Sequence, residues 1–336
     1  MADPPAPSSD QPLATGPRLH HHGLAARHVF VAPQRAGRPD DAELAADGGG
    51  PESWCPFCAG NEARTPPDIL RAPADFALPW RARIVANGFP VVADLGAAAH
   101  GEQAGGGRPA HGVHDVVIES ARHERSILAL EPTAWREVWE LCRCRLADLA
   151  GRADLVWATL FKNSGPRAGA SLEHLHSQLV ALDFVPPQVQ AELAAARAAA
   201  DPFGDLLAAA RAAGRVVAEA GGVVALVPPA PRQPYETWLV PVAAEPHFHA
   251  AAAERVAAVA ELTRWFVARL ERLVPGADYN WWLHQAAHGP EGCPPGWHWH
   301  LEILPRITQL AGFELGTGCH ITTQGAVESA RRLRDA

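Results

Sequence analysis

The chain has 336 residues, 48% apolar and 20% charged, enough to bury a sizeable core as two domains or one large one. A net charge of −8 argues against a nucleic-acid backbone as partner, and no apolar run approaches the roughly 20 residues of a membrane span. The six cysteines are too sparse for a disulfide scaffold and are expected as thiols or metal ligands of a reducing, cytoplasmic protein. The opening Met1-Ala-Asp-Pro-Pro stretch has neither the basic end nor the apolar core of a signal peptide.

Residues 1–17 are rich in Pro, Ala and Ser and read as a disordered tail. His20, His21 and His22 read as a solvated cluster, and Val29 to Ala32 as a strand. Arg35 and Arg38 follow in a Pro/Gly turn, where they could fork onto a phosphate or stand as a solvated pair. Trp54-Cys55-Pro-Phe-Cys58-Ala-Gly60 has the spacing of half a tetrahedral zinc site, and a redox pair is disfavoured because no helix opens after it. No second Cys-x-x-Cys exists, and Cys142 and Cys144 point apart on a helix expected over 133–149, so the remaining ligands should be histidines.

Strands are expected over 83–93, broken at Asn87-Gly88, over 113–120, and over 155–163, with a glycine-rich loop at 96–112. After the Gly165-Pro-Arg-Ala-Gly169-Ala-Ser171 loop, His174, His176 and Gln178 alternate with Leu175, Ser177 and Leu179. Such a period of two puts same-face neighbours about 6.5–7 Å apart on a strand. The loop is expected to offer backbone N–H groups and the Ser171 hydroxyl to phosphate oxygens. Residues 188–219 read as helix, interrupted at Asp201-Pro202. A strand at 235–241, a helix at 251–273 and strands at 279–285 and 297–304 complete the chain. His123 to His174 spans 51 residues, as does His247 to His298, and in that register His298, His300 and Glu302 fall where His174, His176 and Gln178 fall. This is an internal duplication of a strand–helix–strand–strand unit. It gives repeats at 18–187 and 188–336, of which only the first carries the cysteine knuckle and the Gly-Ala-Ser loop.

With Cys55 and Cys58, His174 is the best third zinc ligand and His123 the best fourth, with His114 as its competitor; such a closed set is structural in type. His176 is then free as a nucleophile, and an electrophilic phosphorus is its natural target. Gln178 cannot take a proton but can donate its amide to a phosphoryl oxygen, which favours transfer to a second acceptor over hydrolysis.

The chain resembles the galactose-1-phosphate uridylyltransferase family, the transferase branch of the histidine-triad superfamily, over about residues 24–334. The likeness rests on Val31-Ala-Pro-Gln-Arg35-Ala-Gly-Arg38-Pro, Cys55-Pro-Phe-Cys58, Asn87-Gly-Phe89, Phe161-Lys-Asn163, Gly169-Ala-Ser171, His174-Leu-His176-Ser-Gln178, Pro234 to Pro241 and the strand around His298 to Pro305. It implies an α+β fold of two histidine-triad-like repeats, antiparallel sheets with packed helices forming one continuous sheet. His176 would be the nucleotidylated residue with Gln178 its partner, and Cys55, Cys58, His123 and His174 would hold structural zinc. Arg35, Arg38, Asn87, Phe89, Asn163, Gly169 and Ser171 would bind substrate. A second metal, iron or zinc, would sit at Glu192, His284, His300 and Glu302, the last replacing a histidine of the family pattern. The partners implied are a nucleotide sugar and a sugar 1-phosphate, with a homodimer as the assembly.

Ala170 stands where cysteine is common in that family, and the stretch Gly312 to His320 lacks its polar hexose-contact pattern; this stretch and Ser177 resemble the related ADP-glucose phosphorylases instead. The expected activity is ping-pong UDP-glucose:hexose-1-phosphate uridylyl transfer. The alternatives are an ADP-glucose phosphorylase using inorganic phosphate and, from another class, a non-catalytic nucleotide-binding regulator.

Overall fold

The structure, a computed structural model, describes residues 16–23, 27–40, 50–96, 107–289 and 292–336. The tail expected over 1–17 lies outside the described residues up to position 15, as do residues 97–106 of the glycine-rich loop. In chain order the strands are β1 (Arg18–His22), β2 (Arg27–Val31), β3 (Asp68–Ala72), β4 (Ala82–Ala86), β5 (Arg108–Pro109), β6 (Gly112–Ile118), β7 (Trp157–Ser164) and β8 (His176–Leu182), then β9 (Val216–Ala220), β10 (Val223–Leu226), β11 (Thr237–Pro241), β12 (Tyr279–His284) and β13 (His300–Pro305). Apart from short turns such as the single α-helical turn Pro51–Trp54, the helices are α1 (Pro132–Ala150), α2 (Pro187–Arg197), α3 (Pro202–Ala212), α4 (Ala253–Leu273), α5 (Gly312–Thr317) and α6 (Ala326–Asp335).

Ten strands form one antiparallel sheet in the order β3-β4-β6-β8-β7-β12-β13-β11-β10-β9, and β2-β1-β5 form a separate small sheet. Read from its two ends, the large sheet repeats itself. The sequence β3-β4-β6-β8-β7 and the sequence β9-β10-β11-β13-β12 are the same connectivity, meeting where Asn163 of β7 pairs with Asn280 of β12. The duplication expected from the histidine spacing is thus a pseudo-two-fold in the sheet, and the α+β fold of two repeats in one sheet is borne out.

Alternation sorts the two faces. Leu160, Leu179, Ala181, Leu239, Leu301 and Ile303 join Trp135, Trp139 and Leu146 of α1 and Val256, Val259 and Phe266 of α4 in one continuous core. The Trp135 indole N–H donates to the Thr263 hydroxyl at 3.0 Å, tying α1 to α4 across the repeats. On the opposite face, Val189 and Leu193 of α2 and Phe203 and Leu207 of α3 cover Val224, Leu226 and Val240, together with Val180 and Leu182 near the end of β8. The start of β8, carrying His176 and Gln178, stays uncovered by those helices and borders a cavity.

Two expectations are corrected. The helical reading of 188–219 fails at its end: helix stops at Ala212, Gly214 takes a φ of +65°, and Val216-Val217 enters β9. The run of Ala and Arg masked β-branched residues that pair with β10. His174 and His298 also precede their strands rather than lying on them. The Leu175 N–H donates to the Glu124 carbonyl at 2.8 Å, and the Trp299 N–H to the Glu245 carbonyl at 2.8 Å, so each segment is held by a loop before its ladder begins.

Beneath β8, on the face packed by α1 and α4, Lys162 and Glu119 form an ion pair with side chains 1% and 0% exposed. Lys162 also donates to the His176 carbonyl at 2.9 Å, and Ser177 donates to the other Glu119 oxygen. A buried pair stripped of one partner leaves an unpaired charge at a cost of about 3–5 kcal/mol. Lys162→Met or Glu119→Gln should therefore lower the urea-unfolding free energy by about that amount, and the double variant by less than the two losses together. Single losses below about 1 kcal/mol would contradict the role given to this pair.

Candidate active site

The Cys55–Cys58 knuckle begins at a helical turn, Pro51–Trp54, and closes on itself through the Cys58 N–H to the Cys55 carbonyl, 3.3 Å. The Ala59 N–H donates to the Ala121 carbonyl at 2.8 Å, which docks the knuckle against the segment leading to His123. Cys55 Sγ lies 3.6 Å from His174 Nδ1, and Cys58 Sγ lies 3.6 Å from the Nδ1 atoms of both His123 and His174. Bonds of about 2.3 Å to sulfur and about 2.0–2.1 Å to nitrogen at a tetrahedral angle place S and N about 3.5–3.6 Å apart, so the four donors fit zinc. The His174 Nε2–H donates to the Ser120 carbonyl at 2.9 Å, which fixes the tautomer that turns Nδ1 toward the sulfurs. Burial and then the neighbouring Cys55 push the Cys58 thiol up to about 12, so a thiolate here calls for a cation beside it. His114, the competitor for the fourth place, is not part of this group.

His176 opens β8. Its Nδ1–H donates to the His174 carbonyl at 2.8 Å, leaving the Nε2 lone pair unengaged by that bond. Burial lowers its pKa to about 4, so the ring is neutral near pH 7. The ring packs against Phe57 of the knuckle at 5.3 Å and borders a cavity of about 320 Å³ also lined by Arg38, Asn87, Phe89, Ser171 and Gln178. A neutral imidazole, two amides, a hydroxyl and a guanidinium thus share one space.

The remaining sequence-derived positions fall around it. Arg35 donates to the Phe89 carbonyl at 2.6 Å and so braces the cavity wall. Asn163 lines an adjoining cavity that also reaches His176, and its side-chain oxygen accepts from Asn280 at 2.8 Å. Gly169 has φ +85°, and its N–H donates to the Pro166 carbonyl at 3.0 Å. The expected cradle of loop amides is therefore corrected over 167–170. Ala168 and Ala170 donate to the Gly165 carbonyl and Arg167 donates to Asp278, so those N–H groups are engaged within the protein. Gly165 itself, at φ +86°, sits where a Cβ would come within 1.9 Å of an Asp278 oxygen.

In the second repeat, Glu192 of α2 lies 2.9 Å from His284 Nδ1 and 4.0 Å from His300 Nε2, and these three could hold a metal ion. Against burial, the charges of Glu302 and Glu192 raise the pKa of His300. Glu302 approaches both rings at 3.5 Å, but its other oxygen is taken by Arg232, which also pairs with Glu236. A third group, Asp94, His111 and Asp154, escaped sequence reasoning. Arg152 bridges its two carboxylates, so its cation is supplied by the chain.

Residues 113–335 match the model of a family described as a domain of unknown function, DUF4921. The chain belongs to the DUF4921 family. It is also homologous to ADP-glucose phosphorylase of Arabidopsis thaliana, 29% identical over 326 residues, covering 95% of this chain and 93% of that protein. Galactose-1-phosphate uridylyltransferase of Thermotoga maritima is 25% identical over 236 residues, 67% of this chain and 74% of that one. The crystal structure of the Arabidopsis ADP-glucose phosphorylase with bound ADP-glucose superposes with a TM-score of 0.76 at 27% identity, covering 96% of this chain and 99% of that one. Among the described residues of this DUF4921 member no helix is long and apolar enough to cross a membrane.

His114 was weighed only as a competitor, behind His123, for the fourth zinc place, and it lies instead beside Gln178. Alternation in β6 sets it on the cavity face with Val116, opposite Val180 of β8, and that pattern was the available signal. Burial lowers its pKa to about 4. The folded value lies below the unfolded value of about 6.5, so the unfolded chain binds the extra proton in between. Stability should be full above about pH 6.5 and fall toward pH 4, and His114→Gln should flatten part of that fall in stepped-pH urea titrations. A steeper decline in the variant than in the parent would contradict this.

Proposed function

We propose that this chain is a nucleotidyltransferase that takes a nucleoside monophosphate from a nucleotide sugar onto His176 and passes it to a second phosphate acceptor. The observation that supports this most is the His176 Nδ1–H bond to the His174 carbonyl, with the ring at the border of a cavity that holds phosphate-directed donors. Nε2 attacks the α-phosphorus, the N–P bond forms, and the bond to the sugar 1-phosphate oxygen breaks. The displaced sugar 1-phosphate leaves with its electron pair on oxygen. The acceptor phosphate then attacks the same phosphorus and regenerates the neutral imidazole. Charge developing on the ring is eased by the Nδ1–H bond, while Gln178, Ser171 and Arg38 are the donors available to the phosphoryl oxygens. Cys55, Cys58, His123 and His174 would hold zinc, which when bound supplies rigidity rather than an open coordination place.

Two nucleotide sugars suit this reading. The nearly full-length likeness to the Arabidopsis protein supports ADP-glucose with inorganic phosphate as acceptor. The shorter likeness to the Thermotoga protein supports UDP-glucose with a hexose 1-phosphate. Ser177, one of the residues behind the adenylyl resemblance, bonds Glu119 on the helix side and so cannot choose the base by contact. A cytoplasmic homodimer divided into repeats near residue 187 belongs to the same proposal and rests on the family likeness.

Incubation with each nucleotide sugar, quenching at alkaline pH and intact-mass measurement should show one adduct, with AMP or UMP as the mass decides. Absence of any adduct would leave a nucleotide-binding regulator and overturn the proposal. His176→Gly should abolish turnover while fold and metal content stay at parental levels. Cys55→Ala and His174→Ala should lower both zinc content by elemental analysis and thermal stability. Equal zinc loss in His176→Gly would reverse the roles given to the two histidines.

A further inference from the structure

Gln178 is useful in the proposed chemistry only if its NH₂ group, not its carbonyl, meets the phosphoryl oxygens, and an amide can flip by 180° at little intrinsic cost. The surroundings of the other end of this amide are therefore decisive. Gln178 Oε1 lies 2.9 Å from His114 Nε2, and the Val91 backbone N–H donates to His114 Nδ1 at 3.1 Å. A backbone N–H can only donate, so Nδ1 carries the lone pair and the ring proton sits on Nε2, where the Gln178 oxygen accepts it. The opposite tautomer would set the Nδ1 proton against the Val91 N–H. Asn87 adds to the same end: the Phe89 N–H holds its oxygen at 2.8 Å, and its amide nitrogen lies 3.5 Å from Gln178 Oε1. Its nitrogen also lies 3.0 Å from His114 Nε2, an approach that would suit an acceptor there, but a neutral ring accepts at one nitrogen only and Nδ1 already takes the Val91 N–H.

We propose that His114 is a positioning residue: anchored by the Val91 N–H, it locks the Gln178 carbonyl away from the reacting phosphorus and turns the Gln178 NH₂ into the cavity beside His176. The inference rests on the reading of His176 as the nucleotidylated residue. His114 is 6% exposed and its ring is neutral near pH 7, which keeps Nδ1 available to Val91. Nothing in this arrangement requires His114 to touch substrate.

The test is single-turnover formation of the His176 adduct by the full-length chain with ADP-glucose and with UDP-glucose, followed by mass spectrometry. His114→Phe, which keeps a ring but no donor, should slow the adduct-forming step about 10- to 100-fold, by analogy with the loss of a hydrogen-bond partner that orients a metal ligand. The half-saturating nucleotide-sugar concentration should move less than about threefold. His114→Gln, which returns a donor nitrogen near the Nε2 position, should recover the rate to within about threefold of the parent. In a Gln178→Ala background the His114→Phe change should cost less than about twofold more, because the two act as one unit. Independent, multiplying losses in the double variant, or no rescue by His114→Gln, would overturn the inference. Should His114→Phe fail to fold, the ¹⁵N spectrum of histidine-labelled parent protein decides. A protonated Nε2 with an unprotonated Nδ1 on His114 supports the lock, and the reverse overturns it. A parent protein that forms no adduct overturns the proposed function instead, and the ¹⁵N result still decides the geometry separately.

Discussion

One residue, His174, joins the four-donor cluster to His176. Its ring faces Cys55 and Cys58 through Nδ1, while its backbone carbonyl receives the Nδ1–H of His176 two residues on. Any shift of that backbone would turn the His176 ring, because an imidazole held by one short hydrogen bond follows its acceptor. The knuckle would matter to the proposed transfer for this reason, although neither of its cysteines lines the cavity that His176 borders. The Lys162 bond to the His176 carbonyl clamps the same strand from below, so the nucleophile-type ring is fixed from both faces of the sheet.

The second repeat shows what the same scaffold becomes without the knuckle. His300 Nδ1–H donates to the His298 carbonyl at 3.3 Å, the counterpart of the bond made by His176. Yet His298 is held by the Pro241 carbonyl and stacked on Phe203 at 5.0 Å, where His174 meets two sulfurs. Where Gln178 presents a neutral amide, Glu302 is a carboxylate whose pKa falls to about 2; burial opposes this, and His300, His284 and Arg232 outweigh it. Duplicated backbone geometry thus carries two different polar chemistries, with α2 and α3 covering much of the sheet around the second.

The sequence was most legible where chemistry and periodicity coincide. Cys55-x-x-Cys58, the alternation from Leu175 to Gln178 and the 51-residue histidine spacing led directly to the donor group, the site face and the pseudo-two-fold. What stayed hidden depends on long-range partners. Asp278, 111 residues beyond Arg167, takes up a loop amide that looked ready for phosphate. His114 was weighed only as a metal ligand because its true partner Gln178 lies 64 residues away. Arg232 likewise reaches Glu302 across 70 residues and changes what that carboxylate can hold. Propensity failed locally at 216–220, where β-branched valines after a left-handed glycine were read with the Ala-rich helix before them.

The central claim is that one histidine of the pair serves the metal so that the other is free. Anomalous diffraction at the zinc edge from crystals of the full chain tests it most directly. The account predicts a single first-repeat peak about 2.3 Å from Cys55 and Cys58 Sγ and about 2.0–2.1 Å from His123 and His174 Nδ1, with His176 Nε2 directed into the cavity. A peak coordinated by His176 would contradict it.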